Sequence, residues 1–247
     1  MHTDALLELL HDTATAISAA LGGVDDWGPA GTRAGQHHSD LAADEAAVTR
    51  LVAAGLGVLS EESGLHHPDR DVVVVVDPLD GSTNAAHGVP WYATSLCAVD
   101  RDGPLAAVVV DLPHDRRYEA VRGGGARRDG VAIAPSGVTA IGDAFVGLSG
   151  LPERHLGWRQ FRSLGASALD VCAVADGTFD AFIDCSPDAH GSWDYLGALL
   201  VCREAGALVV DALGRDLVVL EHGARRTPVA AATPALLDAV VAARGSS

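Results

Sequence analysis

Five consecutive valines, Val72–Val76, constrain the fold of this chain more than any other feature of its sequence. β-Branched residues favour extended backbone, and a run of this length is too short for a typical helix. Every position is apolar, without the alternation of a strand that has one solvated face. The run therefore predicts a strand that is buried on both faces, in the interior of the protein.

The patterns around this strand divide the chain into two halves. Helical periodicity predicts N-terminal helices over Ala5–Leu21 and Asp40–Ala54, joined by a long loop over 24–39. Mainly antiparallel strands are expected over Tyr92–Val99, Leu105–Leu112, Arg117–Arg122 and Val131–Ala134, with a turn region at Gly123–Gly130. The second half alternates between strands (Ala144–Leu148, Phe179–Asp184, Ala207–Val210) and helices (Ser167–Ala175, Trp193–Ala205, Pro234–Ala243). We expect two closely packed subdomains, an α+β unit over 1–138 and an α/β unit over 139–247.

Composition excludes several classes of function. The 247 residues are 48% apolar, enough for a sizeable core, and all 17 basic residues are arginine. Without lysine the chain cannot be a Schiff-base enzyme, a P-loop protein or a kinase with the usual lysine–glutamate pair. A net charge of −16 argues against nucleic acid or an anionic membrane as the main partner.

The cysteines and the N-terminus favour a cytoplasmic protein. Cys97, Cys172, Cys185 and Cys202 are widely separated among apolar residues, without a C-x-x-C pair, so we expect free thiols in a reducing compartment. The first ten residues lack the basic and apolar regions of a secretion signal, and no stretch approaches the roughly 18 apolar residues of a membrane span.

The valine run leads directly into an acidic segment, Asp77-Pro78-Leu79-Asp80-Gly81-Ser82-Thr83-Asn84. Two carboxylates three residues apart, with a proline between them and a glycine after them, can direct their side chains and the Leu79 carbonyl towards one point. Oxygen ligands of this kind bind a hard cation. The Gly-Ser-Thr stretch predicts a helix start, where backbone N–H groups can hold a phosphate.

Two further acidic segments can join this site. Ser60-Glu61-Glu62 follows a short apolar stretch, so the glutamates leave the end of a predicted strand. Asp194 follows Trp193 at the start of a predicted helix, where an aspartate is either an N-terminal cap or a metal ligand. Alone, Asp194 is better explained as a cap, and the metal interpretation depends on the combination of segments.

Together these segments resemble the inositol monophosphatase family of magnesium-dependent phosphatases. That family carries a glutamate pair, an Asp-Pro-Ile/Leu-Asp-Gly-Thr/Ser-x-Asn block and a Trp-Asp pair that opens a helix ending in Glu-Ala-Gly. The chain has all three in the same order, the last ending at Glu204-Ala205-Gly206, and the similarity spans roughly residues 35–215. The resemblance implies a layered α-β-α-β-α sandwich of the inositol monophosphatase and fructose-1,6-bisphosphatase type, and a homodimer.

The resemblance also implies a role for each matching residue. The ligands of two or three Mg²⁺ ions would be Glu61, Asp77, Asp80, Asp194 and the carbonyl of Leu79. Gly81, Ser82 and Thr83 would hold the phosphate, and the Ser82 hydroxyl, partnered by Asp44, would position the attacking water. Asp44, Glu61, Asp80 and Ser82 are thus the implied catalytic residues. Gly165, Ala166 and Ser167 would line the leaving-group side, and Asp184 would bind a substrate hydroxyl.

The chain departs from the family pattern in places. Ser60 stands where glycine is usual, and the threonine that usually precedes the Asp44 position is missing. Near Asp184, both Asp188 and His190 are alternative substrate contacts, and the sequence does not choose among the three. The pairs His37-His38 and His66-His67 lie in predicted loops, and we interpret them as surface residues rather than metal ligands.

These observations support three hypotheses. The leading one is a Mg²⁺-dependent phosphomonoesterase acting on a small polyol or sugar phosphate, with inositol monophosphate as the default substrate. The second keeps the chemistry but uses histidinol phosphate, fructose 1,6-bisphosphate or a 3′-phosphoadenosine nucleotide. The third is a non-catalytic, metal-dependent interaction protein on a phosphatase scaffold.

Overall fold

The computed structural model describes residues 2–25, 27–28, 30–31 and 37–245. The loop predicted over 24–39 therefore falls partly outside the described residues. Within them the chain forms helices α1 (Thr3–Gly22), α2 (His38–Ala53), α3 (Ser82–Ala86), α4 (Ser167–Ala175), α5 (Leu196–Ala205) and α6 (Pro234–Gly245). Among the described residues, no helix is both long and apolar enough to span a bilayer.

The first sheet contains the strands of the N-terminal half. Its members are β1 (Gly57–Ser60), β2 (Gly64–His66), β3 (Val73–Asp80), β4 (Ala93–Asp100), β5 (Gly103–Asp111), β6 (Arg116–Val121), β7 (Gly125–Arg128) and β8 (Val131–Ala132). Their spatial order is β2-β1-β3-β4-β5-β6-β7-β8, and β1 and β3 form the parallel pair while the other neighbours are antiparallel. The mainly antiparallel character predicted for this half is confirmed.

Strand β3, which contains most of the valine run, is buried over its whole length. Val74 and Val76 pack into a core with α1 and α2, whereas Val73 and Val75 pack into a second core with α4 and α5. Alternate residues of a strand point to opposite faces of its sheet, so β3 contributes to both cores. The prediction of a strand covered on both faces is confirmed.

The second sheet lies on the far side of α4 and α5. It consists of β9 (Phe145–Ser149), β10 (Gln160–Arg162), β11 (Ala181–Asp184), β12 (Leu208–Asp211) and β13 (Pro228–Ala231), in the order β10-β9-β11-β13-β12. Its inner face joins the core of α4 and α5, and its outer face packs against α6. The layers therefore run α1/α2, first sheet, α4/α5, second sheet and α6, which is the α-β-α-β-α sandwich that the resemblance implied.

The helix predicted over Trp193–Ala205 is interrupted at its start. Ser192–Asp194 forms a 3₁₀ turn, Tyr195 has φ −140° and ψ −21°, and regular α-helix begins at Leu196. The Asp194 carboxylate accepts a 2.7 Å hydrogen bond from the Gly191 N–H group, which closes this turn ahead of the helix.

Four strands were not predicted: β2, β7, β10 and β13. Strand β2 contains His66, which was expected in a loop. The expected turn region Gly123–Gly130 contains β7, whose start is held by Glu204: its carboxylate accepts 2.9 Å hydrogen bonds from the N–H groups of Gly123 and Gly125. Strand β13 begins with Pro228 and has four residues, too few to show a periodic pattern.

Candidate active site

The acidic segment lies at the C-terminal end of β3, where the strand carries a bulge. Asp77 pairs with Ser95 on β4, but Asp80 pairs with Ala93, so three steps along β3 match two along β4. A bulge re-aims the side chains around it, and proline is tolerated there because it has no N–H group to donate. The Leu79 N–H group donates a 3.0 Å hydrogen bond to Asp77 Oδ1, which fixes the turn between the two aspartates.

Three carboxylates from different parts of the sequence converge here. One oxygen each from Glu61, Asp77 and Asp194 lies within 4.8 Å of the other two. Glu61 follows β1, and because β1 and β3 are parallel neighbours their C-terminal ends meet at one edge of the sheet. Asp194 reaches the same place from the 3₁₀ turn before α5.

Asp77 shows most clearly that this cluster is suited to a cation. The residue is 1% exposed, and its Oδ2 atom is buried without a hydrogen-bond partner among the described residues. Burial raises the pKa of Asp77 well above its ordinary value, and the charges of Glu61, Asp80 and Asp194 raise it further. A buried carboxylate oxygen without a donor is costly, and a bound cation would satisfy it.

The pKa values of Asp80 and Asp194 are raised as well. Burial, followed by the charge of Asp194, raises the pKa of Asp80 to about 7, although Asp80 Oδ2 accepts a 2.7 Å hydrogen bond from the Ala168 N–H group. Burial also raises the pKa of Asp194, partly offset by the positive charges of His190 and Arg225. The cluster thus offers oxygen donors of the type that Mg²⁺ prefers, in surroundings that favour bound positive charge.

Gly81 allows the chain to turn sharply from β3 into α3. Its φ of +84° is disfavoured for other residues, and an added Cβ atom would lie 3.2 Å from Ala166 Cβ and from the carbonyl oxygens of Gly165 and Trp91. Ser82 and Thr83 therefore form the first turn of α3 directly beside the carboxylates. First-turn N–H groups have no acceptor within their own helix and are suited to an anion.

The segment around Gly165 is fixed against this turn by Asn84. The Asn84 side-chain amide donates 2.7 Å hydrogen bonds to the carbonyls of Trp91 and Leu164. The segment predicted to line the leaving-group side thus lies directly against Gly81, next to the acidic cluster.

Asp44 has partners other than the one implied by the resemblance. Its Oδ1 atom accepts hydrogen bonds from the hydroxyls of Ser60 at 2.5 Å and Ser63 at 3.1 Å. These are the hydrogen bonds that Asp44 makes within the described part of the chain, and the Ser82 hydroxyl is not among its partners. Ser60 stands where the family usually has glycine, so this sequence supplies its own partner for Asp44.

Asp184, for which the resemblance implied a contact with a substrate hydroxyl, forms hydrogen bonds within the chain. The residue is fully buried, and its two carboxylate oxygens accept hydrogen bonds from the Ser186 N–H group at 2.8 Å and from His190 Nδ1 at 2.9 Å. The other ring nitrogen of His190, Nε2, lies 2.7 Å from the Ser167 hydroxyl. Folding brings these three residues together from α4, β11 and the loop before Asp194, so no local sequence pattern indicates their contact.

A C-terminal loop contacts residues next to the cluster, and it was not predicted to take part in the site. His222 Nε2 lies 3.0 Å from the Glu61 carbonyl oxygen, and the His222 ring packs 5.0 Å from that of Trp193. The Arg225 guanidinium lies 5.0 Å from the centre of the Trp193 ring. Aromatic stacking beside an arginine could have been recognised only from the folded chain, since 32 residues separate Trp193 and Arg225.

Comparison with known proteins identifies the family. The model of the inositol monophosphatase family matches residues 37–246. The chain belongs to the inositol monophosphatase family. As a member of this family it is a phosphatase, a class of enzyme for which the acidic cluster and the adjoining helix start are suited.

Individual relatives agree with this assignment. The chain is 32% identical over 210 residues, covering 83% of it and 80% of the relative, to a protein of Thermococcus kodakarensis named fructose-1,6-bisphosphatase/inositol-1-monophosphatase. It is 30% identical, over 78% of this chain and 76% of the relative, to a fructose-1,6-bisphosphatase of Pyrococcus furiosus. Its fold matches a Pyrococcus horikoshii protein described as similar to inositol-1 monophosphatase, with a TM-score of 0.83, 24% identity and coverage of 97% and 96% of the two chains.

Proposed function

We propose that this family member is a Mg²⁺-dependent phosphomonoesterase that hydrolyses a small polyol or sugar phosphate, with inositol monophosphate as the default substrate. The observation that carries the proposal is the buried Oδ2 atom of Asp77, which has no hydrogen-bond partner among the described residues and lies in a cluster with Glu61 and Asp194. The ligands would be Glu61, Asp77, Asp80, Asp194 and the carbonyl of Leu79, for two or three ions. Bound Mg²⁺ would neutralise charge on the phosphate and lower the pKa of a water molecule.

The protein's own groups would position the reactants. Phosphoryl transfer depends on in-line geometry and charge stabilisation, so a protein nucleophile is not required. The N–H groups of Gly81, Ser82 and Thr83 would hold the phosphate, and the Ser82 hydroxyl would orient the water that attacks phosphorus. Asp44, which accepts hydrogen bonds from the Ser60 and Ser63 hydroxyls, would help to position this water.

The leaving group would depart on the other side of the phosphate, along Gly165, Ala166 and Ser167. Support for this arrangement comes from the close packing of residues 165–166 on Gly81. As the bond between phosphorus and the ester oxygen breaks, the departing alkoxide takes a proton from water or from a nearby hydroxyl. The same proposal includes a homodimer, which the resemblance implied, and a cytoplasmic location, which the free cysteines favour.

Release of inorganic phosphate from inositol 1-phosphate, with Mg²⁺ and with EDTA, tests the proposal. We expect turnover only with Mg²⁺, and we expect Asp77→Asn to lower kcat/KM by at least about 100-fold, because the amide removes a ligand charge but keeps the shape. The exposed Asp143→Asn provides a matched control outside the site and should keep wild-type turnover. Equal turnover in EDTA, or a fully active Asp77→Asn enzyme, would contradict the proposal.

Fructose 1,6-bisphosphate is the second candidate substrate. Arg225 favours it, because this arginine stacks on Trp193 beside Asp194 and places a positive charge where a second phosphate group could be held. Two of the relatives above carry fructose-1,6-bisphosphatase in their names. A panel of inositol 1-phosphate, fructose 1,6-bisphosphate, histidinol phosphate and a 3′-phosphoadenosine nucleotide, compared by kcat/KM, separates these possibilities.

A further inference from the structure

His222 joins the C-terminal loop to the segment that carries Glu61. Its Nε2 atom lies 3.0 Å from the Glu61 carbonyl oxygen, although 161 residues separate the two in sequence. A carbonyl oxygen can only accept a hydrogen bond, so Nε2 must carry a proton and donate it. This is possible for a neutral ring with its proton on Nε2 and for a protonated ring alike. The direction of the bond therefore does not depend on the charge of His222.

The peptide bond between Glu61 and Glu62 lies just beyond the first sheet. The Glu61 N–H group donates to the Val76 carbonyl at 3.1 Å, which continues the pairing of β1 with β3, and the chain then turns. The Glu62 N–H group donates to the Ser60 hydroxyl oxygen at 3.2 Å. The Glu61 carbonyl accepts from His222. Side chains, rather than neighbouring strands, thus hold both polar atoms of this peptide bond.

His222 is itself fixed on two sides. The centres of the His222 and Trp193 rings are 5.0 Å apart, and Trp193 is 3% exposed. The His222 carbonyl oxygen accepts a 2.8 Å hydrogen bond from Arg225, whose guanidinium lies 5.0 Å from the centre of the same Trp193 ring. Trp193 directly precedes Asp194. One histidine ring therefore links the segments that carry two of the three clustered carboxylates, Glu61 and Asp194.

We propose that His222 is a positioning residue, which fixes the Glu61 carboxylate relative to that of Asp194 for a divalent cation by donating to the Glu61 carbonyl. The inference rests on the proposed function, in which both residues are Mg²⁺ ligands, and adds a C-terminal residue on which cation affinity depends. Removing a hydrogen-bond partner behind a metal ligand typically lowers metal affinity by roughly 10–100-fold. Because His222 bonds the backbone of Glu61 rather than its carboxylate, we expect a loss at the lower end of this range.

Binding of Mn²⁺ measures this effect without turnover. Mn²⁺ prefers carboxylate, carbonyl and water oxygens, as Mg²⁺ does. The electron paramagnetic resonance signal of the free ion gives the dissociation constant of Mn²⁺ for each variant. Displacement of bound Mn²⁺ by Mg²⁺ then gives the dissociation constant of Mg²⁺.

Two substitutions separate the hydrogen bond of His222 from its packing. His222→Phe keeps a ring that can pack on Trp193 but has no donor for the Glu61 carbonyl. His222→Gln loses the ring, but the glutamine amide nitrogen can take the place of Nε2 and donate. We expect both cations to bind about tenfold more weakly to His222→Phe, and within about threefold of wild type to His222→Gln. A merely structural role in packing would give the opposite order.

His155→Phe is the matched control. The centres of the His155 and Trp158 rings are 4.6 Å apart, and His155 Nδ1 accepts a 3.0 Å hydrogen bond from the Gly157 N–H group. The same two kinds of contact are thus changed beside the core that packs on α6. Cation binding should stay within about twofold of wild type. Unchanged affinity in His222→Phe, or equal losses in His222→Phe and His222→Gln, would overturn the inference and leave the proposed function standing.

If His222→Phe does not fold, as judged by circular dichroism in EDTA, His222→Ala takes its place. Weaker cation binding in His222→Ala than in His222→Gln would support the inference, and equal binding would overturn it. If the wild-type protein binds neither cation and hydrolyses no phosphate ester, the proposed function itself fails, and the inference fails with it.

Discussion

Replacing Asp80 by asparagine should stabilise the metal-free protein while weakening its stabilisation by Mg²⁺. Burial and the charge of Asp194 raise the pKa of Asp80 to about 7, against 3.8 for an exposed aspartate. At pH 8 the ionised side chain therefore destabilises the folded state by about 4 kcal/mol, from roughly three pKa units at about 1.4 kcal/mol each. Asparagine removes this charge and keeps an oxygen that can accept from the Ala168 N–H group.

The sign of the pH dependence follows from the direction of the shift. The folded state holds the Asp80 proton more tightly than the unfolded state, so stability falls as pH rises from about 4 to about 7 and then levels off. The gain from Asp80→Asn should be about 4 kcal/mol at pH 8 and about 2 kcal/mol or less at pH 5. For a chain of this length, the larger figure corresponds to a rise in Tm of roughly 8–16 °C.

Thermal unfolding in EDTA at pH 5 and pH 8, followed by circular dichroism, measures both gains. Asp211→Asn is the control of opposite sign: burial alone would raise the pKa of Asp211, but hydrogen bonds from Arg215 and from backbone N–H groups lower it. That variant should lose stability at pH 8, and less at low pH. Mg²⁺ should raise the Tm of the wild-type protein more than that of Asp80→Asn. The reasoning is refuted if Asp80→Asn gains nothing at pH 8, or gains equally at both pH values.

Two further substitutions test the phosphate side and the C-terminal loop. In urea unfolding, Gly81→Ala should lower the free energy of unfolding by about 2 kcal/mol, because its Cβ atom would meet neighbours at 3.2 Å, and it should also lose most of its turnover. Gly88→Ala is the control, since Gly88 has φ +71° and open space around it. It should lose only the backbone cost of about 1 kcal/mol and remain active. Arg225→Ala should lower kcat/KM for fructose 1,6-bisphosphate about tenfold more than for inositol 1-phosphate; equal losses on both would remove the argument for a second phosphate at this loop.

Local sequence patterns predicted much of the fold because the strongest signals were continuous in sequence. The valine run identified β3, and the Gly-Ser-Thr stretch after Asp80 marked the start of α3. Strand β7 was missed because its stability comes from pairing with β6 and from Glu204, about 80 residues away, rather than from apolar residues of its own.

In the site too, the arrangement of residues close in sequence could be predicted, whereas contacts between distant segments could not. Asp77 and Asp80 are close in sequence, so their location together at the end of β3 followed from spacing alone. The contact between Ser167 and His190 joins residues 23 apart on different elements, and no local rule predicts it. The hydroxyls that bond Asp44 likewise depend on how α2 packs against the end of β1.

Strand β3 has a consequence for engineering this protein. One strand carries Asp77 and Asp80 at its end and lines two separate cores along its length, through Val74 and Val76 on one side and Val73 and Val75 on the other. A change of side-chain volume under α1 and α2, on the outside of the molecule, would shift the strand on which the carboxylates are mounted. The outer helices thus belong to the alignment of the site, and random mutagenesis should find activity-altering substitutions there, far from any substrate.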